Sequence, residues 1–135
     1  MKQKYLLDTN ICIFFMRGKY DLDQKLRSVG GRNCFISSIT VAELYYGAAC
    51  SSNPVLEKQR VSMFVSNMNV LPIENCLETF AESKALLRRQ GTMIDDFDLL
   101  IGATAITNHM IAVTENVKHL SMIPGIRIEN WINRL

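Results

Sequence analysis

Short apolar runs that stop abruptly at polar residues recur along the chain, and each is followed by apolar positions at helical spacing. Residues 4–7 read as a buried strand ending at Asp8-Thr9-Asn10, with Asn10 or Thr9 placed to cap a helix through Ile11 to Met16 that stops near Gly18. Leu22, Leu26 and Val29 predict a second helix, closed by Gly30-Gly31. Residues 34–37 form a second strand, and Ser38 or Thr40 is placed to cap a helix carrying Val41, Leu44, Tyr45 and Ala48. After a turn at 51–54, residues 55–68 read as a helix and 70–73 as a short extended piece. Leu77, Phe80, Ala81 and Leu87 set the face of another helix, which Gly91 ends. The next helix starts at Asp95 or Asp96. Its body, 97–106, is apolar on nearly every side and carries Gly102, Ala103 and Ala105, so it belongs against the sheet at the centre of the fold. Residues 111–114 and 125–128 supply the third and fourth sheet strands. The alternation predicts one domain over residues 1–135, an α/β chain folded as a three-layer α/β/α sandwich on a mostly parallel sheet.

Composition narrows the class of function more by exclusion than by signature. The 135 residues are 48% hydrophobic, enough to build a core without disulfides or a structural metal. A net charge of +2 is far from the footprint of a protein that holds nucleic acid by charge alone. Cys12, Cys34, Cys50 and Cys76 are widely spaced, with only two histidines in the chain, so they read as reduced core thiols rather than a zinc or redox site. Lys2 and Lys4 precede an apolar stretch in the manner of a leader peptide, but Asp8, Thr9 and Asn10 interrupt it. No run approaches the about 20 apolar residues of a membrane span. A cytoplasmic protein is expected.

In open parallel sheets ligands bind beyond the carboxyl ends of the strands. Asp8 follows the first strand, Glu43 lies one to two turns into the helix after the second, Asp98 lies in the first turn of the central helix, and Thr114, Glu115 and Asn116 follow the third strand. Each acid taken alone has an ordinary use: Asp8 as a helix cap, Asp98 as a first-turn acid behind Asp95, Glu43 as a solvated helical glutamate. Together they are harder to explain, because carboxylates about 5 Å apart repel by about 3 kcal/mol per pair at an effective dielectric of 20. Mg²⁺ or Mn²⁺ prefers such hard oxygens, and can activate water and steady the leaving oxygen of a phosphodiester.

The chain resembles the PIN-domain ribonucleases, specifically the VapC group of type II toxins. The likeness is carried by Leu-Leu-Asp-Thr-Asn at residues 6–10, Ile-Ser-Ser-Ile-Thr-Val-Ala-Glu-Leu-Tyr-Tyr-Gly at 36–47 and Gly-Thr-Met-Ile-Asp-Asp-Phe-Asp-Leu-Leu-Ile-Gly-Ala at 91–103. It continues through Val-Thr-Glu-Asn at 113–116, His119 and Ile-Pro-Gly-Ile-Arg-Ile-Glu-Asn-Trp at 123–131. The resemblance implies a metal-dependent endoribonuclease with Asp8, Glu43 and Asp98 as catalytic, Mg²⁺- or Mn²⁺-binding acids. It also implies RNA, plausibly tRNA, as substrate, a cognate antitoxin in the active-site groove, and a homodimer. The fourth family acid falls at the neutral Asn116, and Asp95 stands where the family pattern has glycine. The position of Asn116, two residues after Thr114, favours it over Glu115 as the fourth ligand.

Other residues admit more than one use. Arg88 and Arg89 suit either RNA phosphates or a helix C-terminus, His119 reads as structural, and Tyr45 and Tyr46 suit a base, an interface or the core. The early helices, around residues 11–16 and 22–26, are the expected antitoxin groove. The competing readings of the whole chain are a DNA nuclease or phosphatase on the same fold, and an inactive PIN-like binding module.

Overall fold

The computed structural model describes residues 2–134. Strands β1 (Tyr5–Leu7), β2 (Cys34–Ser37), β3 (Asn69–Leu71), β4 (Ile111–Val113) and β5 (Ile128–Glu129) form one sheet in the order β3-β2-β1-β4-β5, every pair parallel. The expected α/β sandwich is therefore present, with the sheet wholly parallel. The extended piece at 70–73 differs from expectation: it is an edge strand, shifted to start at Asn69 and ended by Pro72, which has no N–H to continue a ladder.

Helices α1 (Thr9–Met16), α2 (Leu22–Val29), α3 (Ser38–Ala49) and α4 (Pro54–Ser66) lie between the first three strands in sequence. Helices α5 (Leu77–Arg89) and α6 (Asp96–Thr107) lie between β3 and β4, and the short α7 (Val117–Leu120), absent from the sequence expectation, follows β4. Alternation along the strands divides the core. Leu7, Ile36 and Val113 pack with Ile11, Leu22, Leu44 and Val61 of the first four helices. Leu6 and Ala112 point the other way and pack with Ile101 and Ala105 of α6. The helices thus cover both faces, and α6, buried from Leu99 through Ala105 except at Leu100, is the central helix its apolar pattern predicts.

Of two caps, the one on α1 is among those the sequence offered and the one on α3 sits earlier than expected. Asp8, not Thr9 or Asn10, caps α1 by accepting from the Thr9 N–H at 2.8 Å. Ser37, not Ser38 or Thr40, caps α3 by accepting from the Ile39 N–H at 3.0 Å. In both cases the strand runs straight into the helix with no intervening loop, so the last extended residue is the cap. Cys12, Cys34 and Cys76 are buried free thiols, but Cys50 is exposed at the end of α3 and is not a core residue.

Close approach at one glycine matters for α6. A Cβ on Gly102 would lie 2.5 Å from Ile123 Cδ1 and 3.4 Å from Ile126 Cδ1. Gly102→Val is expected to destabilise the chain by about 2–3 kcal/mol in urea denaturation, since the branched side chain must displace both isoleucines.

Candidate active site

The strand order reverses at β1, whose neighbours β2 and β4 feed connections on opposite sides of the sheet, and the crevice at such a point is where parallel α/β sheets bind ligands. Asp8 stands there. Its backbone N–H donates to the Val113 carbonyl at 2.9 Å, extending the β1–β4 pairing into the crevice, and only 4% of the residue is exposed. One carboxylate oxygen takes the Thr9 N–H and the other takes the Thr114 hydroxyl at 2.7 Å. Burial raises the Asp8 pKa, against the lowering effect of these two donors.

Glu43 reaches the same region from α3. Its Oε1 accepts from the Thr9 hydroxyl at 2.6 Å, and Thr9 Oγ1 also lies 3.1 Å from Thr40 Oγ1. Partial burial raises its pKa, the Thr9 hydroxyl opposes this, and the charges of Asp8 and Asp95 add to the rise. Asp98, half-buried in the first turn of α6, is pushed up to about 6. Burial is the largest cause, followed by the charges of Asp8, Asp95 and Glu43, with His119 opposing. The three acids named from sequence therefore lie within one another's field.

Asp95 caps α6, accepting from the Phe97 N–H at 3.1 Å, and its charge also acts on Glu43 and Asp98. It is a cap and a member of the acidic cluster at once. The residues after β4 divide as their positions suggest: Glu115 is held by a bidentate contact with Arg134, one arm at 2.8 Å, which also donates to the Tyr20 hydroxyl. That contact lowers the Glu115 pKa. The Asn116 N–H donates to Thr114 Oγ1 at 2.9 Å, and Asn116 Oδ1 lies 2.8 Å from His119 Nδ1. His119 is exposed and contacts a candidate ligand, so it is no core histidine.

Sequence reasoning missed Thr114 and Thr9 as the groups that orient the acids. The available signal was position: Thr114 directly follows β4 and Thr9 opens α1 just past β1, so each can turn its hydroxyl toward a neighbouring carboxylate. Thr114→Val is expected to cost about 1–3 kcal/mol, because it strands the Asn116 N–H and removes a donor from Asp8, while Thr114→Ser restores most of the loss. Thermal melting of the two variants checks this.

Of the remaining candidates, Arg88 and Arg89 are exposed at the C-terminal end of α5. Tyr45 bonds Ser62 through its hydroxyl at 2.8 Å and packs on the core, whereas Tyr46 is 72% exposed. The apolar groove is not formed by α1 and α2. Leu22 is fully buried, and the groove of about 860 Å³ runs between α1, α3 and α4, lined by Ile13, Phe15, Met16, Leu44, Val61 and Phe64, with Glu43 also on its wall.

The donor set is of the kind a hard divalent cation takes: carboxylates, with the charge of Asp8 acting on Glu43 and Asp98, and the amide oxygen of Asn116 joined to them through Thr114. Among the described residues no three His, Cys, Asp or Glu side chains surround a common point at metal-binding distance. No described helix is long and apolar enough to cross a membrane.

The PIN domain family profile matches residues 5–122. The tRNA(fMet)-specific endonuclease VapC of Salmonella typhimurium is 35% identical over 130 residues, 95% of this chain and 98% of the relative. Ribonuclease VapC2 of Haemophilus influenzae is 34% identical over 131 residues, 96% of this chain and 98% of that one. Among solved structures, DNA-bound VapBC from Salmonella typhimurium superposes with a TM-score of 0.89 at 35% identity, covering 96% of this chain and 98% of that chain. VapBC2 from Rickettsia felis bound to a promoter DNA fragment gives 0.87 at 30% identity, covering 96% of this chain and 99% of that chain.

Proposed function

The chain belongs to the PIN-domain family, and we propose that it is an endoribonuclease, the toxin of a toxin–antitoxin pair, that hydrolyses RNA phosphodiesters with Mg²⁺ or Mn²⁺. The observation that carries the reading is the placing of Asp8, Glu43 and Asp98 at the switch point of the sheet, where the charge of Asp8 acts on both Glu43 and Asp98. Such repulsion is relieved by a cation. Asp8, Glu43 and Asp98 would hold it, with Asn116 Oδ1 as a neutral fourth oxygen once it leaves His119.

A bound divalent ion supplies an activated water and stabilises charge on the phosphate. The chain's own groups keep the site in order. Thr114 fixes one oxygen of Asp8, Thr9 fixes Glu43, and the Asp95 cap sets the first turn of α6 so that Asp98 faces its neighbours. The naming of the Salmonella relative supports tRNA as the substrate, and the relatives seen as VapBC complexes support a cognate antitoxin. The groove beside Glu43 is a suitable seat for an apolar antitoxin segment, which would lie against the catalytic acids. A homodimer, acting in the cytoplasm, completes the reading.

The test is Mn²⁺-dependent cleavage of a tRNA pool by the purified chain, beside DNA and a generic phosphate ester, with growth followed on expression. Cleavage of RNA alone and growth arrest are expected. Cleavage of DNA or the ester instead selects the other enzyme readings, and failure on every substrate selects an inactive binding module.

A further inference from the structure

Two aromatic rings stand in solvent beside the acids. Phe97 immediately precedes Asp98 and is 47% exposed, and Tyr46 follows Glu43 by one helical turn on the same face of α3 and is 72% exposed. Helices α3 and α6 pack against each other, and the charge of Asp95 reaches both Glu43 and Asp98, so the first turn of α6 lies close to the Glu43 turn of α3. The backbone beneath Phe97 is fixed by the Asp95 cap at 3.1 Å. A ring presented from a capped helix turn loses little freedom when it is covered.

Resting on the nuclease reading, we infer that Phe97 and Tyr46 stack on unpaired bases of the RNA flanking the phosphate at the carboxylates. Charge at the mouth argues for this mode of binding. Asp8, Glu43, Asp95 and Asp98 are all acids, and Lys84 of α5, which reaches the first turn of α6, is engaged by Asp96 at 2.7 Å. Phosphates are repelled by these acids except where a cation intervenes, so affinity for the flanking nucleotides gains most from groups indifferent to phosphate charge. Every base offers a π face, and stacking on an aromatic side chain is worth roughly ten-fold or more in affinity per base. It also requires an unpaired base, which selects loops and single strands over helical RNA. The two tyrosines differ in their rings: that of Tyr45 packs on the core, whereas that of Tyr46 is open to solvent although its hydroxyl contacts the Cys50 thiol one turn further along α3.

The experiment uses the full chain and a short single-stranded RNA carrying 2-aminopurine, in Ca²⁺ for binding and in Mn²⁺ for cleavage, with the same sequence as a duplex for comparison. The parent should quench the single strand's fluorescence and leave the duplex unchanged. Phe97→Leu should weaken binding about ten-fold and raise KM by more than it changes kcat, with Phe97→Trp restoring both; Tyr46→Leu should act in the same direction. Normal quenching without any cleavage by the parent would sink the nuclease reading and leave the stacking intact. Cleavage by the parent with no quenching, or with Phe97→Leu and Tyr46→Leu binding RNA as the parent does, overturns the inference. Altered sedimentation of Tyr46→Leu with unchanged RNA affinity overturns it for Tyr46 and assigns that ring to contact between copies of the chain.

Discussion

Asp8→Asn is expected to abolish RNA cleavage, with a loss of about a thousand-fold or more, while the chain stays folded with an unchanged or higher Tm. The two effects have one origin. Asp8 is nearly sealed from solvent, and this burial raises its pKa and makes its charge a liability to the metal-free fold. Asparagine keeps an oxygen for the cap on Thr9 and a polar group beside Thr114, and removes the charge. What it cannot do is hold a cation against the phosphate. Activity is read on a labelled RNA in Mn²⁺ and stability by thermal melting in chelator. Full activity in Asp8→Asn would end the carboxylate mechanism. As a control, Glu115→Gln should stay within a few-fold of the parent, since Glu115 is engaged by Arg134.

The second large effect is on pH. Asp98 has its pKa raised to about 6 in the folded chain, so between its unfolded value of 3.8 and that point the folded state binds more protons than the unfolded one. Its contribution to stability is therefore fully present below the unfolded value and is lost as pH rises through about 6. Glu43 and Asp8 shift in the same direction. Without metal, Asp98→Asn should gain stability over the parent between pH 5 and pH 7 by about 1–2 kcal/mol, after allowance for the solvent screening of a half-exposed carboxylate. Cleavage at limiting Mn²⁺ should run the opposite way, rising with pH, because the proton on Asp98 competes with the cation, and saturating Mn²⁺ should move the rise to lower pH. Urea denaturation across pH, with and without Mg²⁺, reads the first; rate against pH reads the second. A variant equal to the parent at every pH would show that Asp98 feels no neighbouring charge.

Much of this was legible in the sequence because local pattern and tertiary role agree. The nearly all-apolar α6 could only be a helix buried at the sheet, and Asp8 and Glu43 could be placed after strands by the abrupt ends of the runs before them. What could not be read was orientation and partner. Ser37 looks like a strand residue and acts as a cap, since a strand that enters a helix without a loop leaves no local mark of the change. Val70 and Leu71 are too few to announce an edge strand without β2 beside them. The groove was misplaced onto α2 because Leu22 looks the same in sequence whether it lines a surface or fills the core, and it fills the core. The work of Thr9 and Thr114 depends on which carboxylate each hydroxyl meets, a fact of three dimensions.

The Thr114–Asp8 hydrogen bond joins residues 106 positions apart, and β4 reaches its place beside β1 only after β2 and β3 have been made. Contacts of such long sequence separation form late, because the closure entropy of the intervening chain must first be overcome. On a ribosome adding about 5–20 residues per second, a growing chain can complete the β1–β2–β3 half of its sheet while Asp8 still lacks the threonine that orients it. The strand pairing that carries Asp8 and the hydroxyl that orients its carboxylate are thus separated in time during synthesis.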